Sequence, residues 1–315
     1  MATAPLDLTG RSQTADRSFR WAAALAGFLV LVILGLIAFT MTTRAWPAFR
    51  DQGWSFFTSD EWAPAEGRFG GLTFIYGTVV SSAIALVLAV PVSIGIALFI
   101  TQVVPNRFRK PFVYVVDLLA VIPSVVFGLW GISVLAPWIK ERYDTVADAV
   151  DGVPVLQSLF GQASGRSFFT AGIILAIMIT PIISSLAREV VDTTPPGEME
   201  AAYGLGATRW EMIRGAVIPH SKGGLVGAVM LGLGRAMGET IAVALVIGSS
   251  AQLTSNLFAS GDSMPSVIAN QWGEADGTFK AALIGLAVTL FVMTILVNMA
   301  ATTVVQRSMR KSRGA

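Results

Sequence analysis

Residues 195–248 read PPGEMEAAYGLGATRWEMIRGAVIPHSKGGLVGAVMLGLGRAMGETIAVALVIG, and this stretch decides the fold of the chain. Its first half is polar and contains helix formers separated by glycines. Its second half is hydrophobic enough to cross a membrane. The apolar half nevertheless carries Arg235 and Glu239, which are four residues apart. The stretch therefore predicts a polar hairpin that leads directly into a membrane helix with two opposite charges.

The composition of the whole chain belongs to an integral membrane protein. Of its 315 residues, 54% are hydrophobic and 13% are charged, whereas an average soluble domain has about 25% charged residues. Cysteine is absent and there is one histidine, which excludes disulfide frameworks, zinc sites and thiol nucleophiles. The net charge of +2 gives no sign of nucleic-acid binding.

Charged residues mark the boundaries of six predicted membrane helices between a tail at 1–20 and a tail at 307–315. The predicted spans are about 21–43, 72–101, 112–136, 167–187, 224–248 and 281–306. A signal peptide is the rival interpretation of the first span. That run is longer than a typical signal-peptide core, and no small-residue cleavage site precedes Arg44.

The distribution of positive charge predicts the orientation. Fourteen of the 22 lysines and arginines lie in the two tails and in the loops after the second and fourth spans, and seven lie in the other three loops. Cytoplasmic loops carry an excess of Lys and Arg. Both termini and the 195–219 loop are therefore predicted to be cytoplasmic, and the three longer, acidic loops to face outward.

The 195–219 loop has the pattern of a helix, a turn and a second helix. Pro195 and Pro196 suit a helix start, and Gly204 and Gly206 break the first helix. Thr208 and Glu211 then have the spacing of a capping box. The second helix is predicted to begin at this cap.

The second helix of the loop carries an apolar stripe of Trp210, Ile213 and Val217, and Pro219 is predicted to end it. One interpretation is a hairpin that rests on the membrane surface. Such helices usually have lysine and arginine on their polar face, but the whole loop between the fourth and fifth spans, 188–222, has five acidic residues. A protein partner in the cytoplasm is the favoured interpretation.

Glu200-Ala201-Ala202, followed by Gly206 and Pro219, resembles the EAA loop of permease subunits of binding-protein-dependent ABC importers. The pattern departs at Ala216 and Ile218, where the family usually has isoleucine and leucine. The resemblance implies an all-α permease of the type I (MetI-like) fold. It also implies ATPase coupling through the loop residues Glu200, Ala201, Ala202, Gly206, Trp210 and Pro219.

Three further segments resemble the phosphate-specific, PstC-like members of this family: FGGLTFIYGT at 69–78, IPSVVFG at 122–128 and RAMGE at 235–239. This resemblance implies transport of inorganic phosphate across the cytoplasmic membrane of a prokaryote. It implies a second, PstA-like permease, a dimer of PstB-like ATPases that binds the ATP, and an extracytoplasmic PstS-like phosphate-binding protein. The chain itself would hold no cofactor.

The predicted spans contain three ionisable residues, Asp117, Arg235 and Glu239. Such residues usually face a water-filled path or a partner charge. Arg235 and Glu239 are predicted to share one helix face, either as a buried neutral pair or as a site where arginine meets an anion. Glu239 could accept the O–H of phosphate, which sulfate lacks at neutral pH, or it could only position Arg235. For Asp117 a salt bridge with the basic 107–110 loop, or an interfacial position, is favoured over a role in transport.

The sequence has no catalytic set of its own. The segment at 161–167, GQASGRS, resembles a Walker A loop but lacks the lysine and the spacing. The chain is therefore predicted to be a transport subunit and not an enzyme. An importer of molybdate or sulfate remains an alternative, as does a channel or secondary transporter that needs no ATPase.

Overall fold

The computed structural model describes residues 13–161 and 164–313; the side chains of residues 13–15 and 304–313 are not described. The predicted tail residues 1–12 and 314–315 lie outside this range. The elements are α1 (Gln13–Gln52), α2 (Ser55–Thr58), β1 (Trp62–Ala63), β2 (Arg68–Phe69), α3 (Leu72–Leu98), α4 (Asn106–Val121), α5 (Ser124–Trp130), α6 (Ala136–Ala149), α7 (Pro154–Phe160), α8 (Phe168–Asp192), α9 (Pro196–Gly204), α10 (Arg209–Met212), α11 (Ile218–Met237), α12 (Ile241–Val246), α13 (Met264–Gln271) and α14 (Gly277–Arg313). Wider π turns extend α3 and join α5 to α6 and α10 to α11.

Within the described residues, five helical segments are long and apolar enough to cross a membrane. They are Asp16–Gln52, Leu72–Val103, Phe168–Asp192, Arg209–Met237 and Gly277–Thr303. The helical segments Asn106–Val121 and Ser124–Ala149 pass the same test only as a pair, and they meet at a bend of 84°. The all-helical fold class predicted from the sequence is confirmed.

Within the predicted span at 112–136, the helix breaks at Ile122 and Pro123. Ile122 ends α4 in an extended conformation (ψ 126°), as expected for a residue before proline. Pro123 begins a new helix, and its carbonyl accepts the N–H of Val126 at 3.0 Å. Gly128 of that new helix packs on the backbone of Ala242 in α12.

Helix α8 lies at the centre of the protein, between α3 and α11. Gly172 lets Ile84 of α3 approach, and Ser93 of α3 donates a hydrogen bond to the carbonyl of Thr180 at 3.2 Å. On another face of α8, Gly232 of α11 contacts Ile183. Glycine allows this closeness because a Cβ at either position would overlap the neighbouring side chain.

The ends of the helices define two faces of the protein. The last turns of α1 and the first turns of α14 pack together, with the ring of Phe49 against Gly285. The helical ends Gln13 and Arg313 therefore lie on one common side. Helices α3 and α8 run parallel and end on that same side, which also carries α9 and α10.

On the opposite face, the loop after α1 forms an aromatic cluster and not a simple interfacial belt. Phe56 and Phe69 are buried, and the ring of Trp62 lies 5.3 Å from Phe69 and 4.9 Å from Phe74. The indole N–H of Trp62 donates to Gln271 at 2.9 Å. This cluster joins the loop to α3 and α13.

The outer segment after α12 folds into the protein, although the sequence predicts only a polar loop at 249–279. Gly261 donates its N–H to the carbonyl of Ile247 at 3.0 Å, and Met264 donates its N–H to the hydroxyl of Thr78 at 3.0 Å. A Cβ at Gly77 would overlap the carbonyl oxygen of Asp262. The Asp262 side chain is consequently buried at the outer end of α3.

Candidate functional site: a charged helix break and a helical hairpin

The predicted fifth span, 224–248, is interrupted beside its two charges. Helix α11 ends at Met237, and α12 begins at Ile241. Glu239 therefore lies in the break and not on the same continuous helix as Arg235, which corrects the predicted geometry. Glycine at position 238 favours helix termination, and the Glu239 carboxylate accepts the N–H of Ala242 at 3.3 Å, which supports the start of α12.

Arg235 and Glu239 nevertheless form an ion pair, with Nη2 of Arg235 3.5 Å from Oε2 of Glu239. The two side chains differ in exposure: Arg235 is 51% exposed and Glu239 is 4% exposed. A buried carboxylate is costly unless it is paired and hydrogen-bonded, and Glu239 has both partners. The arrangement fixes one side of the guanidinium and leaves its other donors open to an anion.

The hairpin of α9 and α10 has the cap that the sequence predicts. The Thr208 hydroxyl accepts the N–H of Glu211 at 3.4 Å, and the Glu211 carboxylate accepts the N–H of Thr208 at 2.8 Å and its hydroxyl at 2.7 Å. The hydrogen bond from the backbone N–H of Thr208, and to a smaller extent the one from its hydroxyl, lower the pKa of Glu211. A capping box of this kind satisfies two backbone donors at a helix start.

Gly206 makes the turn between the two helices of the hairpin. Its φ is +84°, a left-handed conformation that glycine adopts without the cost that a Cβ imposes. The N–H of Ala207 then reaches back to the carbonyl of Ala202 at 3.1 Å. Glu200 and Ala201 on α9 are exposed, and Ala202 is half-buried.

The predicted apolar stripe is divided between the interior and the surface. Ile213 and Val217 are buried in a cluster with Ala187 and Val191 of α8, so they anchor the hairpin and are not part of its exposed surface. Trp210 is 62% exposed, as predicted.

A second exposed apolar side chain, Leu205, was missed by the sequence interpretation, although it is 90% exposed. Its position between Gly204 and Gly206 was the available signal, because an apolar residue in a tight polar turn cannot be buried there. Tyr203, 46% exposed, completes the surface. We call Tyr203, Leu205 and Trp210 the hairpin tip.

Pro219 does not end the second helix, contrary to the prediction. The π turn Ile213–Val217 precedes α11, and Ile218 donates its N–H to the carbonyl of Ile213, five residues back. The wider turn accommodates a proline that lacks an N–H and crowds the preceding turn. Helical backbone therefore runs without interruption from Arg209 to Met237. By helix geometry, Trp210 and Arg235 are roughly 37 Å apart along this rod.

Two contacts hold together the elements on the face of the protein that carries the hairpin. Nδ1 of His220 in α11 lies 3.5 Å from the Glu198 carboxylate in α9. Arg109 of α4 lies 3.9 Å from Asp192 at the end of α8 and also donates to the carbonyl of Thr101.

Asp117 does not form the predicted salt bridge. It is half-buried on α4, and no cation among the described residues lies within ion-pair distance. The same residues contain no group of three or more acidic or histidine side chains suited to a metal ion.

The chain resembles known proteins over most of its length. Residues 89–311 match the family model described as "Binding-protein-dependent transport system inner membrane component". The phosphate transport system permease protein PstC of Haemophilus influenzae is 42% identical, over 89% of this chain and 89% of that protein. The PstC of Mesorhizobium japonicum is 43% identical, over 90% and 87%, and PstC 2 of Mycobacterium tuberculosis is 42% identical, over 92% and 91%.

Solved structures show the same fold at lower sequence identity. A bacterial ABC transporter involved in the import of alginate matches with a TM-score of 0.60 and 18% identity, over 94% of this chain and 98% of that chain. The inward-facing methionine ABC transporter MetNI matches with a TM-score of 0.51 and 17% identity, over 76% and 94%.

Proposed function

The chain belongs to the family of binding-protein-dependent transport system inner membrane components, and from this premise we propose that it carries inorganic phosphate as one permease subunit of an ATP-driven importer. The observation that carries the choice of phosphate is the 42% identity with a PstC permease over 89% of both chains. The chain is a multi-pass subunit of the cytoplasmic membrane. Its chemistry is transport, and ATP hydrolysis belongs to a partner.

Arg235 and Glu239 are the proposed contact with the anion. The planar guanidinium can donate two parallel hydrogen bonds to a tetrahedral oxyanion, and its 51% exposure leaves those donors free. Glu239 is almost fully buried and bonded on both sides. These contacts favour a role for Glu239 in positioning Arg235 over a role in accepting the O–H of phosphate directly.

The hairpin tip is the proposed contact with the ATPase. Leu205 and Trp210 offer apolar surface to the cytoplasm, and aromatic side chains are frequent anchors of protein interfaces. The residues that the sequence analysis assigned to ATPase coupling shape this surface and its connection to α11: Glu200, Ala201, Ala202, Gly206 and Pro219. We assign the ATP to a PstB-like ATPase dimer, whose closure would pull on the rod that starts at Arg209.

The remaining partners follow from the two faces of the protein. The face with α9 and α10 also carries Arg107, Arg109 and Lys110, so we place it and both termini in the cytoplasm. The opposite face would receive phosphate from a PstS-like binding protein. Among the described residues, Glu239 is the one carboxylate within ion-pair distance of Arg235, and the rest of the guanidinium is exposed. A PstA-like permease would supply the other half of the path on this exposed side.

The test is uptake of labelled phosphate into proteoliposomes that contain the chain with its co-purified subunits. We expect uptake to require ATP on the ATPase side, and sulfate and molybdate in excess to leave it unchanged. Competition by either anion would favour the alternative oxyanion importers. Uptake that persists without ATP, or with Glu200→Arg in the hairpin, would favour an ATPase-independent channel or secondary transporter.

A further inference from the structure

An apolar groove with a volume of about 330 Å³ opens between α3, α4 and α8. Aliphatic side chains form most of its walls, among them Leu88, Val92, Ile96, Val116, Leu119 and Ile177. Several of these side chains are exposed, including Val92 at 53% and Leu119 at 45%. The groove lies at the level of membrane-crossing helices, so an occupant must be apolar along this length.

The groove lies on the flank of α8 that faces away from α11. Ile179 and Ile183 contact Gly232 of α11, whereas Ile177 and Pro181, two positions earlier in each case, line the groove. Successive residues of an α-helix are offset by about 100°, so the two sets point in nearly opposite directions. No residue of α11, the helix that bears Arg235, lines the groove.

Two arginines stand above the cytoplasmic end of the groove. Arg109 precedes the lining residue Val116 by seven positions, and Arg188 follows the lining residue Pro181 by seven. Seven residues are two helical turns, or about 10 Å, and both steps lead toward the same face of the protein. The two helix ends meet there, because Arg109 lies 3.9 Å from Asp192, one turn beyond Arg188.

The guanidinium groups retain donors for a further ligand. Arg188 is half-buried, donates to the Ser185 hydroxyl at 3.4 Å, and has no carboxylate within 4.0 Å among the described residues. The Arg109 side chain is 36% exposed, and its nearest carboxylate, Asp192, is 3.9 Å away. Arg107 and Lys110 add positive charge to the same first turns of α4.

We propose that this groove and the two arginines form a binding site for one anionic phospholipid of the inner leaflet. An acyl chain fills the apolar groove, and the headgroup phosphate receives hydrogen bonds from Arg109 and Arg188. Basic pockets at the cytoplasmic end of membrane helices have the charge that such headgroups require. The site is distinct from the phosphate path, and a bound lipid would tie α4 to α3 and α8.

Native mass spectrometry of the protein, purified with its associated subunits in mild detergent, tests this site. Phosphatidylglycerol and phosphatidylcholine are added in parallel, and we expect the protein to retain the anionic lipid selectively. The double variant Arg109→Gln/Arg188→Gln should bind phosphatidylglycerol roughly thirtyfold more weakly, at about fivefold for each arginine. Arg214→Gln, an exposed cytoplasmic arginine far from the groove in sequence, is the charge control and should bind normally.

A second variant tests the apolar part without removing charge. Val92→Trp fills the groove and should also lose the retained lipid, whereas Val87→Trp, on an exposed position of α3 outside the groove, should keep it. Equal retention of both lipids, or unchanged retention by Val92→Trp and by the arginine variant, would overturn the proposal. Because the chain has no cysteine, Val92→Cys also reports the occupant: a cross-link to another permease subunit would place a protein in the groove and overturn the lipid site.

Discussion

The guanidinium of Arg235 is half exposed, while its carboxylate partner Glu239, 3.5 Å away, is buried. A charge with so little access to water depends on its few polar neighbours, because removing one partner leaves the other uncompensated. Glu239 has two such neighbours, the guanidinium and the N–H of Ala242. The pair therefore combines a rigid anchor with an accessible donor, which suits transient binding of an anion.

Glu239→Gln separates anchoring from direct recognition. The amide can still accept the Ala242 N–H but no longer holds the guanidinium by charge, so we expect phosphate uptake to fall roughly tenfold, equivalent to about 1.4 kcal/mol. The preference for phosphate over sulfate should persist, because the buried carboxylate does not reach the anion. Uptake of both anions in proteoliposomes provides the measurement. A variant that gains sulfate transport would show that the Glu239 carboxylate accepts the O–H of phosphate and thereby excludes sulfate.

Asp262 predicts a dependence of stability on pH. Burial, partly offset by bonds from Ser266 and Ser263, raises the pKa of this carboxyl from 3.8 to about 6. The folded state therefore holds the proton more tightly than the unfolded state, and stability decreases as pH rises from about 4 through 6. The total loss is roughly 3 kcal/mol.

Thermal unfolding in detergent at pH 4.5 and pH 7.5 measures this effect. The Asp262→Asn variant should lose most of the difference in unfolding temperature between the two pH values, because an amide does not ionise in this range. Asp51→Asn, at an exposed position on the same face, should retain the wild-type difference. An unchanged pH dependence in Asp262→Asn would contradict the assignment.

At the scale of elements, the sequence indicates that prolines and glycines disturb the helices, but it does not predict whether a given proline breaks a helix or is accommodated within it. Pro123 breaks a span and produces an 84° bend, whereas Pro219 is absorbed by a π turn. The difference depends on the preceding backbone: Ile122 becomes extended, while Ile218 stays helical through a longer hydrogen bond. Local sequence does not determine which solution is adopted, because tertiary packing of Ile213 and Val217 on α8 stabilises the second one.

Gly206→Ala tests the turn of the hairpin. The left-handed φ of +84° costs a non-glycine residue about 1–2 kcal/mol, so we expect the hairpin tip to shift and association with the ATPase to weaken roughly tenfold. Gly204→Ala is the matched control, since this glycine ends α9 without a positive φ and has no neighbour within 4 Å of an added Cβ. Co-purification of the ATPase subunit measures both variants. Equal effects of the two substitutions would argue against a specific role of the turn.

At the scale of the molecule, sequence reasoning recovered the helical class and the hairpin with its cap. These features depend on local hydrophobicity, charge and capping, which a single sequence carries. It did not recover the helix break at Glu239 or the inward folding of Asp262. The contact of Asp262 with Gly77 depends on residues far apart in the chain, because three of the six predicted spans lie between them.

The packing of α8, the hairpin and α11 indicates that they move as one body. Gly224 of α11 fits against Val190 of α8, His220 contacts Glu198, and the rod from Arg209 to Met237 has no break. An ideal Cβ at Gly224 lies 3.1 Å from Cβ of Val190, near the separation that a disulfide needs. The double variant Val190→Cys/Gly224→Cys, in a chain without other cysteines, can therefore link the two helices.

If the two helices form a rigid unit, this link should leave ATP-driven phosphate uptake within about twofold of the reduced protein, since a factor of two is only about 0.4 kcal/mol. The same variant after reduction is its own control, which removes any effect of the substitutions themselves. Uptake that stops on oxidation and returns on reduction would show that α11 slides along α8 during transport. In that case the pull on the hairpin tip would reach Arg235 by translation of one helix, and the tight fit of Gly224 and Gly232 against α8 would have to open in every cycle.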